Sequence, residues 1–175
     1  MNSQHFTPES IARALGLEPL SAEGGLYRET YRSAERLPSE CLPERYPRTD
    51  KPFGTAIYYL LTDSPDSFSA LHRLPTDEVY HFYLGDMLEM SLLNPDGSSQ
   101  VVQLGQDILN GEHLQFVVPR GVWQGSRVAA GGRFALVGTT MAPGFTPDDF
   151  ELGRQEDLLA QYPQARKQIL DLTRA

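Results

Sequence analysis

The chain reads as a mainly β protein, a sandwich or barrel with short helices near each end. Three observations predict this. Short runs of β-forming residues, divided by turn signals, recur about every ten residues from Phe53 to Met141. Fifteen Gly and thirteen Pro fall between those apolar runs rather than at random. Helical periodicity appears only before Gly16 and after Phe145. With no linker and no internal repeat, residues 1–175 are expected to form one domain, with a barrel core over about 22–145 and a helical tail over about 154–173.

Each element has a local reason. Thr7-Pro8-Glu9 starts a helix with an N-cap hydroxyl, a proline at the first helical position and an acid in the first turn. Ile11, Ala14 and Leu15 share its apolar face, Gly16 stops it, and it should pack outside the main body. Glu23-Gly24-Gly25 turns the chain into a strand over 26–32. Residues 33–52 carry Pro38, Pro43, Pro47 and Pro52 among charges, a loop long enough to serve as a mobile lid or an edge cover. Strands are then expected over 54–61, 67–74, 78–84, 87–93, 100–104, 113–118, 122–127 and 134–141. Two short helical pieces, 157–162 and 164–172, flank Pro163.

Composition narrows the function. The formal charge is −8 with Lys and Arg scattered, which argues against nucleic-acid partners while leaving room for a local basic pocket. No stretch reaches the roughly 18 apolar residues of a membrane span. The first residues lack the charged and apolar regions of a signal peptide, so a cytoplasmic location is expected. The single cysteine, Cys41, has no partner for an internal disulfide, which fits a reducing compartment, and no neighbouring base to make it a nucleophile.

The chemistry concentrates between His72 and Gly85 and again at Val118–Gln124. Alternate residues of a strand point the same way, so His72 and Leu74 enter one cavity together, a neighbouring strand adds Glu78, and the second segment adds Gln124. These two segments resemble the two halves of the cupin signature. Cupins place His-x-His, Glu and Gly at the spacing seen here in His72-x-Leu74-x3-Glu78-x6-Gly85, and Pro-x-Gly-x-x-His at the spacing of Pro119-x-Gly121-x-x-Gln124. The flanking pieces Glu23-Gly24-Gly25, Tyr27–Thr30, Ile57–Leu61, Asp77–Tyr83 and Ala142–Phe145 occur in order. Over about residues 10–155 the chain resembles a family of small bacterial and fungal cupins with no assigned function. The resemblance implies a jelly-roll (double-stranded β-helix) barrel, a ligand pocket inside it and a homodimer. Related folds include sugar-nucleotide epimerases, isomerases, dioxygenases and germin-like storage proteins, and fold does not choose among them.

The resemblance also raises a metal. Cupin sites of three histidines and a carboxylate hold Mn, Fe, Ni or Zn, ions suited to imidazole and carboxylate. Here Leu74 and Gln124 stand at two ligand positions. Any metal set would have to be His72, Glu78 and His81, yet alternation turns His81 away if Glu78 faces in. No cofactor is therefore expected, with a divalent metal on those three residues as the alternative.

The expected site has His72 and Glu78 as acid/base residues. Tyr59, Ser69, Tyr80, His81, Gln115, Trp123 and Gln124 are the candidates for binding substrate. Each has a structural alternative: Trp123 and the aromatics around Tyr58-Tyr59 and Tyr80–Tyr83 as core packing, His81 at a dimer contact. His113 reads as a surface residue and His5 as part of a frayed terminus. The leading expectation is a small-molecule cupin working by acid/base chemistry without metal, an epimerase or isomerase acting on a sugar or nucleotide-sugar. A metal-dependent oxygenase or isomerase and a non-catalytic ligand-binding cupin are the alternatives.

Overall fold

The computed structural model describes residues 6–174; His5 lies outside them. The expected first helix is α1, Pro8–Leu15. Thr7 and Ser10 cap each other reciprocally, and Gly16 closes the helix at φ 61°. Strands follow in the order β1 (Glu18–Pro19), β2 (Leu26–Arg32), β3 (Arg36–Leu37), β4 (Lys51–Pro52), β5 (Thr55–Thr62), β6 (Ser69–Arg73) and β7 (Glu78–Gly85). Then come β8 (Leu88–Leu93), β9 (Ser99–Leu104), β10 (Gln115–Val118), β11 (Trp123–Val128), β12 (Phe134–Met141) and β13 (Glu151–Leu152). Two helices end the chain, α2 (Gln155–Gln161) and α3 (Arg166–Asp171), with Pro163 between them.

Two antiparallel sheets face each other, in strand order β1-β2-β5-β12-β7-β10 and β13-β6-β11-β8-β9. That is the mainly β jelly-roll architecture expected, with short helices at both ends. The dyad alternation of each strand decides what lies between the sheets. Along β7, Glu78, Tyr80 and Phe82 are buried, while Val79, His81 and Tyr83 are more exposed. The inner layer gathers Tyr59, Leu61, Tyr80, Phe82 and Val137 from the large sheet against Met90, Leu92, Val102 and Leu104 from the small one. Burying each such side chain contributes about 1.5–3 kcal/mol.

The outer faces are covered separately. Ile11 of α1 packs on Leu60, Phe134 and Leu136 outside the large sheet, as its apolar stripe requires. Leu158, Tyr162, Ile169 and Leu172 of the C-terminal segment cover Leu71, Leu93 and Trp123 outside the small one.

Of the two roles expected for the 33–52 segment, lid or edge cover, the structure does not bear out the mobile lid. The segment is pinned: β3 and β4 pair with each other, and Lys51 is fully buried in an ion pair with Asp149. Tyr46 is buried as well and its hydroxyl accepts from Thr76 Oγ1 at 3.1 Å. Among the described residues no helix is long and apolar enough to cross a membrane.

Candidate functional site

A polar stripe runs through the otherwise apolar space between the sheets. It begins on β6 and β11, where His72 pairs with Gln124 and Ser69 with Ser126 across a register shift. The shift matters because it sets both members of each pair toward the interior, although His72 and Ser69 are an odd number of residues apart. Glu78 and Tyr80 of β7, Thr139 of β12 and Tyr59 of β5 face the stripe from the large sheet. His72, Glu78, Gln124, Ser126 and Thr139 are each at most 6% exposed.

Their hydrogen bonds define what each can do. Gln124 Nε2 donates to Glu78 Oε2 at 2.7 Å. His72 Nδ1 lies 2.8 Å from the Ala70 carbonyl, which can only accept, so Nδ1 carries the proton and Nε2 is the free basic nitrogen. The imidazole is held flat by Phe150, stacked at 5.1 Å between ring centroids. Among the described residues Gln124 Oε1 and Ser126 Oγ have no hydrogen-bond partner. A buried acceptor left unpaired costs about 1–3 kcal/mol, so two in one stripe mark a place where a polar ligand would restore lost bonds.

Burial pushes the Glu78 carboxyl above the usual carboxylate range; the charge His72 carries when protonated opposes this, and that of Glu23 adds to it. Hydrogen bonds from Thr139 and Gln124 oppose it too. Tyr59 and Tyr80 are driven well up, first by burial and then by the nearby carboxylates of Glu23 and Glu78 respectively. Both phenols therefore remain protonated donors at neutral pH.

Glu23 is the site residue that sequence reasoning missed. It stands just before β2, half-buried, and accepts from Ser69 Oγ at 2.5 Å. Gly24 and Gly25 let it come so close. Both have positive φ, and a Cβ on Gly24 would sit 2.2 Å from the Phe68 carbonyl oxygen, one on Gly25 2.6 Å from Leu61. The Tyr59 hydroxyl clamps this turn by donating to Gly24 O at 3.0 Å. The double glycine was the available signal, since it demands a close backbone approach as well as a turn.

The structure thus brings together His72, Glu78, Tyr59, Ser69, Tyr80 and Gln124. It does not bring His81, Gln115 or Trp123 to them. His81 projects from the opposite face of β7, where Gln115 Nε2 donates to its Nδ1 at 3.2 Å and its Nε2 meets Thr140 Oγ1 at 3.2 Å. Trp123 alternates with Gln124 and packs under α2 and α3, with the Arg73 guanidinium 4.5 Å above its ring. The aromatic group divides in the same way. Tyr59, Tyr80 and Phe82 lie inside, while Tyr58 and Tyr83 meet edge to face on the outer surface. Cys41 and His113 are exposed and away from the stripe.

The metal set His72, Glu78 and His81 is not assembled, because His81 is on the other side of the sheet. Among the described residues no three His, Cys, Asp or Glu side chains are grouped to hold an ion. Leu74 offers no donor, and Gln124 turns its amide nitrogen, not its oxygen, toward Glu78. The donors present do not fit a transition-metal centre of the usual cupin kind.

Two facing antiparallel sheets with His72 and Glu78 turned into the space between them, and Gln124 where a third ligand would stand, have the architecture of a cupin. The family model described as Cupin superfamily (DUF985) matches residues 9–153, and the chain belongs to that family. It is similar to an uncharacterised protein of Saccharomyces cerevisiae, 31% identical over 144 residues that span 78% of this chain and 71% of the relative. Among solved structures, a protein from Shewanella oneidensis is 38% identical, with a TM-score of 0.83 over 97% of this chain and 98% of the other. A hypothetical protein from Leishmania major is 33% identical, with a TM-score of 0.85 over 97% of this chain and 100% of the other.

Proposed function

We propose that the protein is an acid/base enzyme that moves a proton on a small polar metabolite, in the manner of an epimerase or isomerase of a sugar or nucleotide-sugar. The observation that carries this reading is the pairing of a buried carboxyl, held above its usual range, with an imidazole whose Nε2 is free. A proton donor and a proton acceptor that face the same low-dielectric interior suit abstraction next to a carbonyl and return of the proton to the same carbon or its neighbour. His72 Nε2 takes the proton, Glu78 supplies one, and Tyr80 donates to a substrate oxygen, while the Tyr59 hydroxyl stays on Gly24 O and holds the Glu23 turn in place. Gln124 Oε1 and Ser126 Oγ, now without partners, accept from substrate hydroxyls. A homodimer fits this reading through the outer face of the large sheet, where Tyr83 and Val117 expose apolar surface.

The test is proton exchange. The purified protein is incubated in deuterium oxide with a panel of keto-sugars, sugar phosphates and nucleotide-sugars, and carbon-bound deuterium is followed by NMR. One member of the panel should exchange, and His72→Ala and Glu78→Gln should each slow it by about 10²- to 10⁴-fold with the fold retained by circular dichroism. Exchange that survives both substitutions would defeat the assignment. Tight binding of a panel member with no exchange would make the protein a carrier or sensor instead.

A further inference from the structure

At the Leu74 end of the stripe a cleft of about 490 Å³ opens to solvent. Its walls come from four separate segments: Arg45 and Tyr46 of the pinned loop, Arg73 to Pro75 at the end of β6, Arg120 and Gly121 before β11, and Asp148 to Glu151 leading into β13. Three arginines around one opening are unexpected in a chain of net charge −8.

Their partners show how much of that charge is free. Arg73 is matched by Glu151 through two hydrogen bonds of 2.6 and 2.8 Å, so the pair is close to neutral. Asp149 is balanced by buried Lys51. Arg45 uses Nε on the Pro75 carbonyl and Nη2 on the Tyr46 hydroxyl, leaving its Nη1 free of protein partners among the described residues. The Arg120 guanidinium has no hydrogen bond or ion pair among the described residues, and Asp77 is taken up by the Arg120 backbone amide. Against these two cations the cleft sets one carboxylate without a cationic partner, Asp148, which accepts from Thr49.

A second observation concerns Asp149. It is 4% exposed and lines the cleft, and its Oδ1 has no hydrogen-bond partner among the described residues. A lone buried acceptor in the wall of a cleft that also holds the unpartnered Arg120 guanidinium and the free Nη1 of Arg45 calls for a ligand with both a donor and an anionic group. A phosphate ester of a polyhydroxy compound has both: phosphoryl oxygens for the arginine forks and a hydroxyl for Asp149. Phe150 lines the same cleft and stacks on His72, so a ligand seated there lies one aromatic ring from the imidazole.

We propose that this cleft is the anchoring subsite for the phosphate group of the substrate, with Arg45 and Arg120 as its ligands and Asp149 Oδ1 accepting from a neighbouring hydroxyl. The proposal deepens the acid/base reading above and rests on it for the fate of the bound molecule, though not for the binding itself. It narrows the substrate to phosphorylated sugars and polyols, nucleotide-sugars included.

Calorimetric titration of the full chain tests it, with inorganic phosphate and a hexose 1-phosphate as probes. The ester should bind more tightly than phosphate, and both should weaken as salt is raised. Arg120→Ala removes an exposed guanidinium that supports nothing else and should raise the Kd for the ester tenfold or more. Arg45→Ala/Arg120→Ala should abolish saturable binding, whereas Arg133→Ala, which removes an exposed arginine outside the cleft, should leave the Kd within twofold. No saturable binding of the ester to the wild-type protein, equal affinity for phosphate and ester, or an unchanged Kd in Arg120→Ala and the double variant would each overturn the proposal. Binding that follows these expectations together with an absence of proton exchange would leave the subsite standing and remove the acid/base reading.

Discussion

Replacing Lys51 by methionine should be the most destabilising single change in the loop between β2 and β5. The Lys51 and Asp149 side chains are both at 0% exposure, and they pair directly. The ammonium also donates to Thr146 Oγ1 at 2.9 Å and lies 5.3 Å from the centre of the Tyr46 ring. Methionine keeps most of the volume but leaves Asp149 without its counter-charge. What remains is the Thr146 amide at 2.8 Å and the Thr146 hydroxyl at 3.1 Å, both on Oδ2. Removing one member of a buried pair typically costs about 3–5 kcal/mol. For a domain of this size each kcal/mol moves Tm by about 2–4 °C, which gives a fall of about 6–20 °C. Asp149→Asn should restore part of this in the double variant, because the uncompensated charge is then gone. Calorimetric and urea-induced unfolding of the wild type, the two single variants and the double variant measure the cycle. A loss below about 1 kcal/mol in Lys51→Met, or costs that simply add in the double variant, would refute the argument that Asp149 needs its partner.

Two further outcomes follow from the same structure. Burial raises the folded Glu78 carboxyl above its unfolded range, so as pH rises through that window the unfolded chain ionises first and wild-type stability falls. Glu78→Gln removes this loss, and the stability difference between wild type and variant should move in the variant's favour as pH rises from below the ordinary carboxylate range. A difference that grows in the wild type's favour would contradict a buried, proton-retaining carboxyl. Leu158→Ala should cost about 2–5 kcal/mol, because Leu158 is 1% exposed and joins α2 to Leu71, Leu93 and Trp123 of the small sheet. An unfolding midpoint unchanged in urea would mean that the C-terminal helices do not close that face.

Alternation accounts for most of what could be read in advance. The strand over 134–141 and the strand over 26–32 appear with the expected bounds, and the inward set Glu78, Tyr80 and Phe82 follows from parity alone. Parity also removes His81 from the interior, and the same rule applied to β11 would have removed Trp123, since Gln124 and its neighbour must face opposite ways. Gln115 was out of reach of this reasoning, because its face depends on how β10 registers against β7, with Gln115 opposite His81.

What the sequence by itself determined is therefore local and periodic. It set which segments are strands, where they turn, which side chains of each strand share a face, and that His72, Glu78 and Gln124 meet within a cupin barrel. Tertiary structure decided the rest, because those contacts join residues far apart in the chain. Glu23 reaches Ser69 only through a turn pressed on the barrel, and Lys51 becomes buried only when Asp149, 98 residues later, arrives to meet it. Neither residue carries a periodic signal, since each sits in an irregular segment whose burial is imposed by what folds over it. The arginine cleft is of the same kind. Arg45, Arg73 and Arg120 lie in three separate segments, and only the closing of the two sheets brings them around one opening.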